Sequence, residues 1–149
     1  MQRPYDSRQK WMRLLAISNW DDLKESAKYF ELIPYEMIRP PETGMIMLRG
    51  RMGGTGAAFN LGEATVTRCA VKTHKGFEGH SYVMGRNHEH AKLAAICDAL
   101  LQDEESHASV TRSLLHPLEK ILTEKKELVK RKSEATKVDF FTLVRGENE

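Results

Sequence analysis

Between Pro34 and Gly85 the helical spacing of apolar residues stops, and β-prone runs punctuated by glycine replace it. Residues 35–39 end at Pro40-Pro41, a pair that neither a helix interior nor a central strand accepts. Gly44 opens the run 45–52, Gly62 opens 63–72, and Lys75-Gly76 turns the chain into 77–84, which ends at Gly85. The pattern predicts a four-strand antiparallel meander over 34–85. Helical periodicity holds on both sides of it. Asp6 or Ser7 caps a first helix with Trp11, Leu14 and Leu15 on one face. Ser18 or Asn19 caps a second, with Asp21 and Asp22 in its first turn and Trp20, Leu23, Ala27 and Phe30 recurring. Asn87 caps a third helix, 87–102, whose Leu93, Ile96, Cys97, Leu100 and Leu101 are flanked by alanines, the mark of a helix buried on several sides. Residues 103–137 carry a narrow stripe (Leu114, Leu118, Ile121, Leu122, Leu128, Val129) among Lys and Glu, with a helix restart at His116-Pro117. The expected fold is a single α+β domain: N-terminal helices over 6–33, the meander, the buried helix, a long exposed helical arm over 103–137 and an extended tail over 138–149.

The whole chain is 149 residues, a length suited to one domain. Its 23 basic and 21 acidic residues leave a net charge of +2, which argues against a nucleic-acid-binding face. No apolar run approaches the roughly 20 residues of a membrane helix, and the start lacks the apolar stretch of a secretory signal. Cys69 and Cys97 sit in apolar surroundings without CxxC spacing, as free thiols of a cytoplasmic protein would.

The most chemical stretch is Arg49-Gly50-Arg51-Met52-Gly53-Gly54-Thr55-Gly56. Side chains alternate along a strand, so Arg49 and Arg51 share a face, as do Arg68 and Lys72 on the next strand. If those faces coincide, the cations gather beside glycines whose N–H groups can form an anion nest, and Arg49, Arg51, Gly53, Gly54, Thr55, Gly56, Arg68 and Lys72 become a candidate phosphate site. The alternative, a hairpin turn needing positive φ with its arginines in solvent, is the commoner use of such a cluster. No Lys-Ser or Lys-Thr follows, so it is not a P-loop, and no helix opens behind it, so it is not a dinucleotide fingerprint.

His80, His88 and His90 lack the i, i+4 spacing of a helical metal pair, and no metal site is expected. No catalytic residue is nominated. The apolar stripe on the helical arm and the tail residues Val138, Asp139, Phe140, Phe141, Leu143, Val144 and Arg145 are candidate partner contacts, because their apolar groups fall on both faces of an extended segment.

Glu42-Thr43-Gly44, the 51–56 glycine block, Gly62-Glu63-Ala64-Thr65-Val66-Thr67-Arg68, Gly85-Arg86, Asp98-Ala99-Leu100 and the 137–146 ending occur in an order that resembles the PhnG family, the G subunits of bacterial carbon–phosphorus lyase core complexes. The resemblance runs from about Arg8 to Arg145. It implies a subunit that, with subunits H and I and an ATP-binding-cassette-like protein, replaces the adenine of ATP by a phosphonate to give α-D-ribose 1-phosphonate 5-triphosphate. It implies that this chain is not an autonomous enzyme, and that ATP is a substrate of the complex rather than a cofactor bound here. The iron–sulfur cluster is expected on subunit J, in keeping with the absence of closely spaced cysteines here. A scaffold that touches no substrate remains the alternative.

Overall fold

The computed structural model describes residues 8–137; the tail contacts expected at 138–145 and the caps expected at Asp6 or Ser7 lie outside them. Helix α1 (Arg8–Ile17) buries Trp11, Leu14 and Leu15. Ser18 closes it by donating its hydroxyl to the Leu14 carbonyl at 2.6 Å. Helix α2 (Trp20–Ala27) begins at Asn19, whose side chain accepts from the Asp21 N–H, and it buries Leu23 and Ala27. Phe30 does not extend that helix. It starts a single 3-10 turn, Phe30–Leu32, and packs against the edge of the core.

The sheet has three strands, not four: β1 (Tyr35–Arg51), β2 (Ala58–Thr73) and β3 (Glu78–Met84), antiparallel in the order β1-β2-β3. The two runs on either side of Pro40-Pro41 are one strand. The prolines fall where the β1–β2 register shifts, between Arg39 and Glu42. They also lie on an edge strand, where a missing N–H need not break the ladder. Gly44 is an interior position of β1 opposite Val66, and Gly62 is interior to β2 opposite Leu48, so neither glycine opens a strand. A further register shift beyond Leu48 carries the pairing out to Arg51 and Ala58.

Helix α3 (His88–Gln102) starts at Asn87, which accepts from the His90 N–H at 2.9 Å. It lies across one face of the sheet. Leu93, Ile96, Cys97 and Leu101 are fully buried beneath it with Val71 and Cys69. The approach is close at Gly79 of β3, where a Cβ would sit 1.9 Å from the Ala95 carbonyl oxygen and 2.7 Å from the Ala99 nitrogen. Burial raises the pKa of both thiols, Cys97 far more than Cys69.

The segment 103–137 is less of an arm than its charge suggests. Asp103 caps α4 (Glu104–Val110), a π-helical turn follows at Thr111–Leu115, and α5 runs from His116 to Ala135 with Pro117 in its first turn. Val110, Leu114, Leu115 and Leu118 belong to the core. Past Leu122 the helix leaves the apolar core, Lys125 still pairing with Asp22 of α2, and Leu128 and Val129 are exposed. Among the described residues no helix is long and apolar enough to cross a membrane.

Candidate functional site: the glycine turn and the arginine rungs

The glycine block forms the tip of the β1–β2 hairpin. Gly53 and Gly54 take φ of 57° and 82°, a region a side chain would strain. The N–H groups of Thr55 and Gly56 both donate to the Met52 carbonyl, the latter at 2.8 Å. A Cβ on Gly56 would lie 2.6 Å from that same oxygen. Arg51 donates to the Gly56 carbonyl at 3.2 Å and so braces its own turn. Two of the donors an anion nest would use are therefore spent inside the turn.

The register decides which cations meet. Arg49 and Arg51 pair with Asn60 and Ala58 at the tip, whereas Arg68 pairs with Glu42 and Lys72 with Glu36. Arg51 lies nine positions beyond Glu42 along β1 and Arg49 seven, about 30 and about 23 Å at roughly 3.3 Å per residue. The tip pair and Arg68 cannot touch one phosphate group. Arg68 Nε donates to Glu42 Oε1 at 2.6 Å, and Arg39 reaches the same oxygen at 2.7 Å. The two guanidiniums, Arg68 first, hold the Glu42 carboxyl below its ordinary pKa. Lys72 faces Glu78 at 3.6 Å. Arg49 and Arg51 have no carboxylate partner among the described residues.

Two groupings escape a sequence reading because the hairpin register and the α3 packing create them. The Thr67 hydroxyl donates to the Gly85 carbonyl at 2.8 Å, so Thr43 must donate to Thr67 at 3.1 Å and accept from His88 at 3.0 Å. That fixes the proton of a neutral His88 on Nε2. The chain ties β1, β2 and the start of α3 together. The second grouping surrounds Asp98, whose side chain is fully buried on α3. It accepts from Arg8 (2.6 and 3.2 Å), from Trp11 Nε1 (2.8 Å) and from the His80 N–H (2.9 Å). Asp98 thereby joins α1 and β3 to α3. The hydrogen bond that Arg8 donates to Asp98, above all, raises the pKa of Arg8. Trp11 and Asp98 are 87 positions apart, and only burial of an acid on an otherwise apolar helix could have signalled the link.

His90 is likewise structural, its Nε2 lying 2.8 Å from the Leu15 carbonyl. Among the described residues no His, Cys, Asp and Glu side chains are grouped to hold a metal ion. A groove of about 280 Å³ beside the β2–β3 turn is lined by Leu32, Phe77, Leu100 and Lys75, and Lys75 is already held by Asp103 and Glu105 at 2.8 Å each.

Three of the segments that carried the family resemblance meet: Glu42-Thr43 stands against Thr67-Arg68, and Gly85 closes the row, while the 51–56 glycine block lies at the far tip of the hairpin. A family model described as phosphonate metabolism protein PhnG matches residues 6–146. The chain belongs to the PhnG family. A PhnG relative from Rhizobium meliloti (strain 1021) is 42% identical over 151 residues, covering 95% of this chain and 90% of its own. That relative is named as alpha-D-ribose 1-methylphosphonate 5-triphosphate synthase subunit PhnG.

Proposed function

We propose that this chain is a non-autonomous subunit of α-D-ribose 1-methylphosphonate 5-triphosphate synthase. The observation that carries the reading is its 42% identity to the Rhizobium subunit over nearly the full length of both chains. In the reaction a phosphonate oxygen forms a bond to C1′ of the ATP ribose, the glycosidic bond breaks, and adenine leaves. The other participants are subunits H and I and an ATP-binding-cassette-like protein, with subunit J carrying the iron–sulfur cluster, all in the cytoplasm. ATP is substrate of the assembly, and this chain holds no cofactor of its own.

Within the assembly, a supporting role fits this chain best. Arg68 and Lys72 face carboxylates, Arg68 stands about 23–30 Å from the tip arginines at roughly 3.3 Å per residue and Lys72 farther, so the eight nominated phosphate residues do not converge within one chain. The tail, Val138 to Arg145, remains a proposed contact with a neighbouring subunit.

The test is adenine release from ATP and methylphosphonate by the purified assembly. We expect none from the isolated chain, full activity from the complete set of subunits, and loss when this chain is omitted. Robust release by the isolated chain would overturn the subunit reading. Arg51→Met and Arg68→Met, each in a fully assembled complex, separate the two roles. Unchanged turnover fits the supporting role. A tenfold to hundredfold loss, the size expected from about 1.5–3 kcal/mol for a charge-assisted contact, would restore a phosphate contact.

A further inference from the structure

The outer half of the β1–β2 hairpin is a free-standing ribbon. Strand β3 pairs with β2 only from Val66 to Lys72, so from Met45 and Thr65 outward the ladder has two strands. Every residue from Thr43 to Arg49 is exposed on β1, and so is every residue from Phe59 to Glu63 on β2. Two-stranded ribbons are marginal in water and normally present polar groups to it. This one carries the run Met45-Ile46-Met47-Leu48, which places apolar groups on both faces, with Phe59 and Leu61 across from it. Met45 is 68% exposed and Leu61 66%. Such a surface exceeds the scattered apolar exposure normal for a monomer.

We infer that this ribbon is a docking arm that inserts into an apolar cleft of another synthase subunit, with carboxylates in the cleft receiving Arg49 and Arg51. The inference rests on the subunit reading above and adds the surface and its chemistry. Two observations choose the occupant. Apolar groups on both faces call for walls on both sides, which a cleft supplies and a flat surface does not. The tip carries Arg49 and Arg51 without carboxylate partners, so the depth of the cleft must be acidic. A second copy of this chain is poorly equipped to supply that charge. Four of the carboxylates beside its sheet and α3 are already engaged, Glu42 by Arg39 and Arg68, Glu78 by Lys72, Glu89 by Lys92 and Glu105 by Lys75, which leaves Glu36 and Glu63 on the strands. A second copy would also bring the same unpartnered arginines and a net charge of +2.

The arm can be removed without touching the body. Met45 and Thr65 are opposite each other, so replacing residues 46–64 by Asn-Gly closes the hairpin with a two-residue turn. The experiment co-expresses the wild-type or shortened chain with the other synthase subunits and reads co-purification, alongside the thermal midpoint and solution mass of each chain alone. We expect the shortened chain to keep its midpoint and lose co-purification. We expect Arg49→Glu with Arg51→Glu to weaken assembly at least tenfold, the deficit narrowing as salt rises. Normal assembly of the shortened chain overturns the docking arm. A wild-type dimer that the shortening abolishes assigns the arm to a second copy instead, and collapse of the shortened chain makes the ribbon part of the fold's own stability; either result overturns the inference. If the wild-type chain itself fails to join the other subunits, the subunit reading falls first and the arm falls with it.

Discussion

The inner and outer halves of the β1–β2 hairpin share one antiparallel ladder and differ in what lies over them. In the inner half, α3 covers one face and β3 extends the sheet, so Thr67, Cys69 and Val71 are buried. In the outer half nothing covers either face, although Met45 to Leu48 are at least as apolar as the buried run. Hydrogen bonding alone does not distinguish them, because the ladder continues to Arg51 and Ala58. Stability in this sheet therefore resides in the helix-covered half. The outer half is held in shape by its ladder and by the braced turn at Met52 and Gly56.

The largest effect should come from the acid that joins the covered half to its helices. Asp98→Ala leaves the Trp11 indole and the His80 N–H without their acceptor and Arg8 without its counter-ion. Removing one partner of such a network costs about 3–5 kcal/mol when buried; because Arg8 is 41% exposed, we expect the lower end of that range. Chemical denaturation should show a reduced midpoint with an unchanged slope. A loss below about 1 kcal/mol would mean the covered half is not held by this contact.

Paired glycines test the comparison directly. At Gly79, under α3, a Cβ would meet backbone atoms of Ala95 and Ala99, which cannot swing aside as a side chain would. Gly79→Ala should cost at least the ~1–3 kcal/mol of ordinary overpacking. At Gly44, where the ribbon begins, a Cβ would meet nothing within 4 Å. Gly44→Ala should stay within about 0.5 kcal/mol of wild type. Equal losses at the two positions would erase the distinction between the halves.

Much of this division was legible in the sequence, and the part that was not has identifiable causes. The Asn19 and Asn87 caps, the alanine-flanked α3 and the strand content of the middle follow from local chemistry, and the structure keeps them. Pro40-Pro41 reads as a break because a proline's cost depends on whether its strand lies at an edge, which is a tertiary fact. Parity correctly puts Arg68 and Lys72 on one face, but parity does not set register. Register places those cations opposite Glu42 and Glu36 instead of beside the glycine turn. The apolar stripe of the helical arm mixes two roles. Leu114 and Leu118 complete the core, and only residues past Leu122 project.

A smaller effect should follow from pH at the far end of the covered half. Lys75 in the β2–β3 turn bonds Asp103 at 2.8 Å, clamping the turn to the junction of α3 and α4. The bond from Lys75, then that from Ser106, holds the Asp103 carboxyl below its usual 3.8. A carboxyl depressed on folding adds stability above its unfolded pKa and loses it as pH falls through the folded value. Asp103→Asn should therefore flatten the stability profile below about pH 4 and leave its shape near neutrality unaltered. An unchanged acid limb would show that the clamp contributes nothing on folding.

The smallest effect should come from the other projecting element, and it asks whether exposure by itself makes a docking surface. Beyond Leu122, α5 is exposed as fully as the hairpin ribbon, yet it is built differently. Glu127 faces Arg131 at 3.6 Å and Glu134 faces Lys130 at 3.8 Å, each one helical turn apart, so the charges support the helix in water. Its exposed large apolar residues there are Leu128 and Val129, which are adjacent in sequence and so lie about 100° apart around the axis. They do not form a seam. Replacing both, Leu128→Gln with Val129→Gln, removes no core contact, since neither belongs to the core cluster, and glutamine is as good a helix former as leucine and better than valine. Stability should change by less than about 0.5 kcal/mol, and co-purification with the other synthase subunits should match wild type. A loss of assembly comparable to that of the shortened hairpin would move the docking surface from the ribbon to the helix, and the apolar faces of the ribbon would then need another explanation.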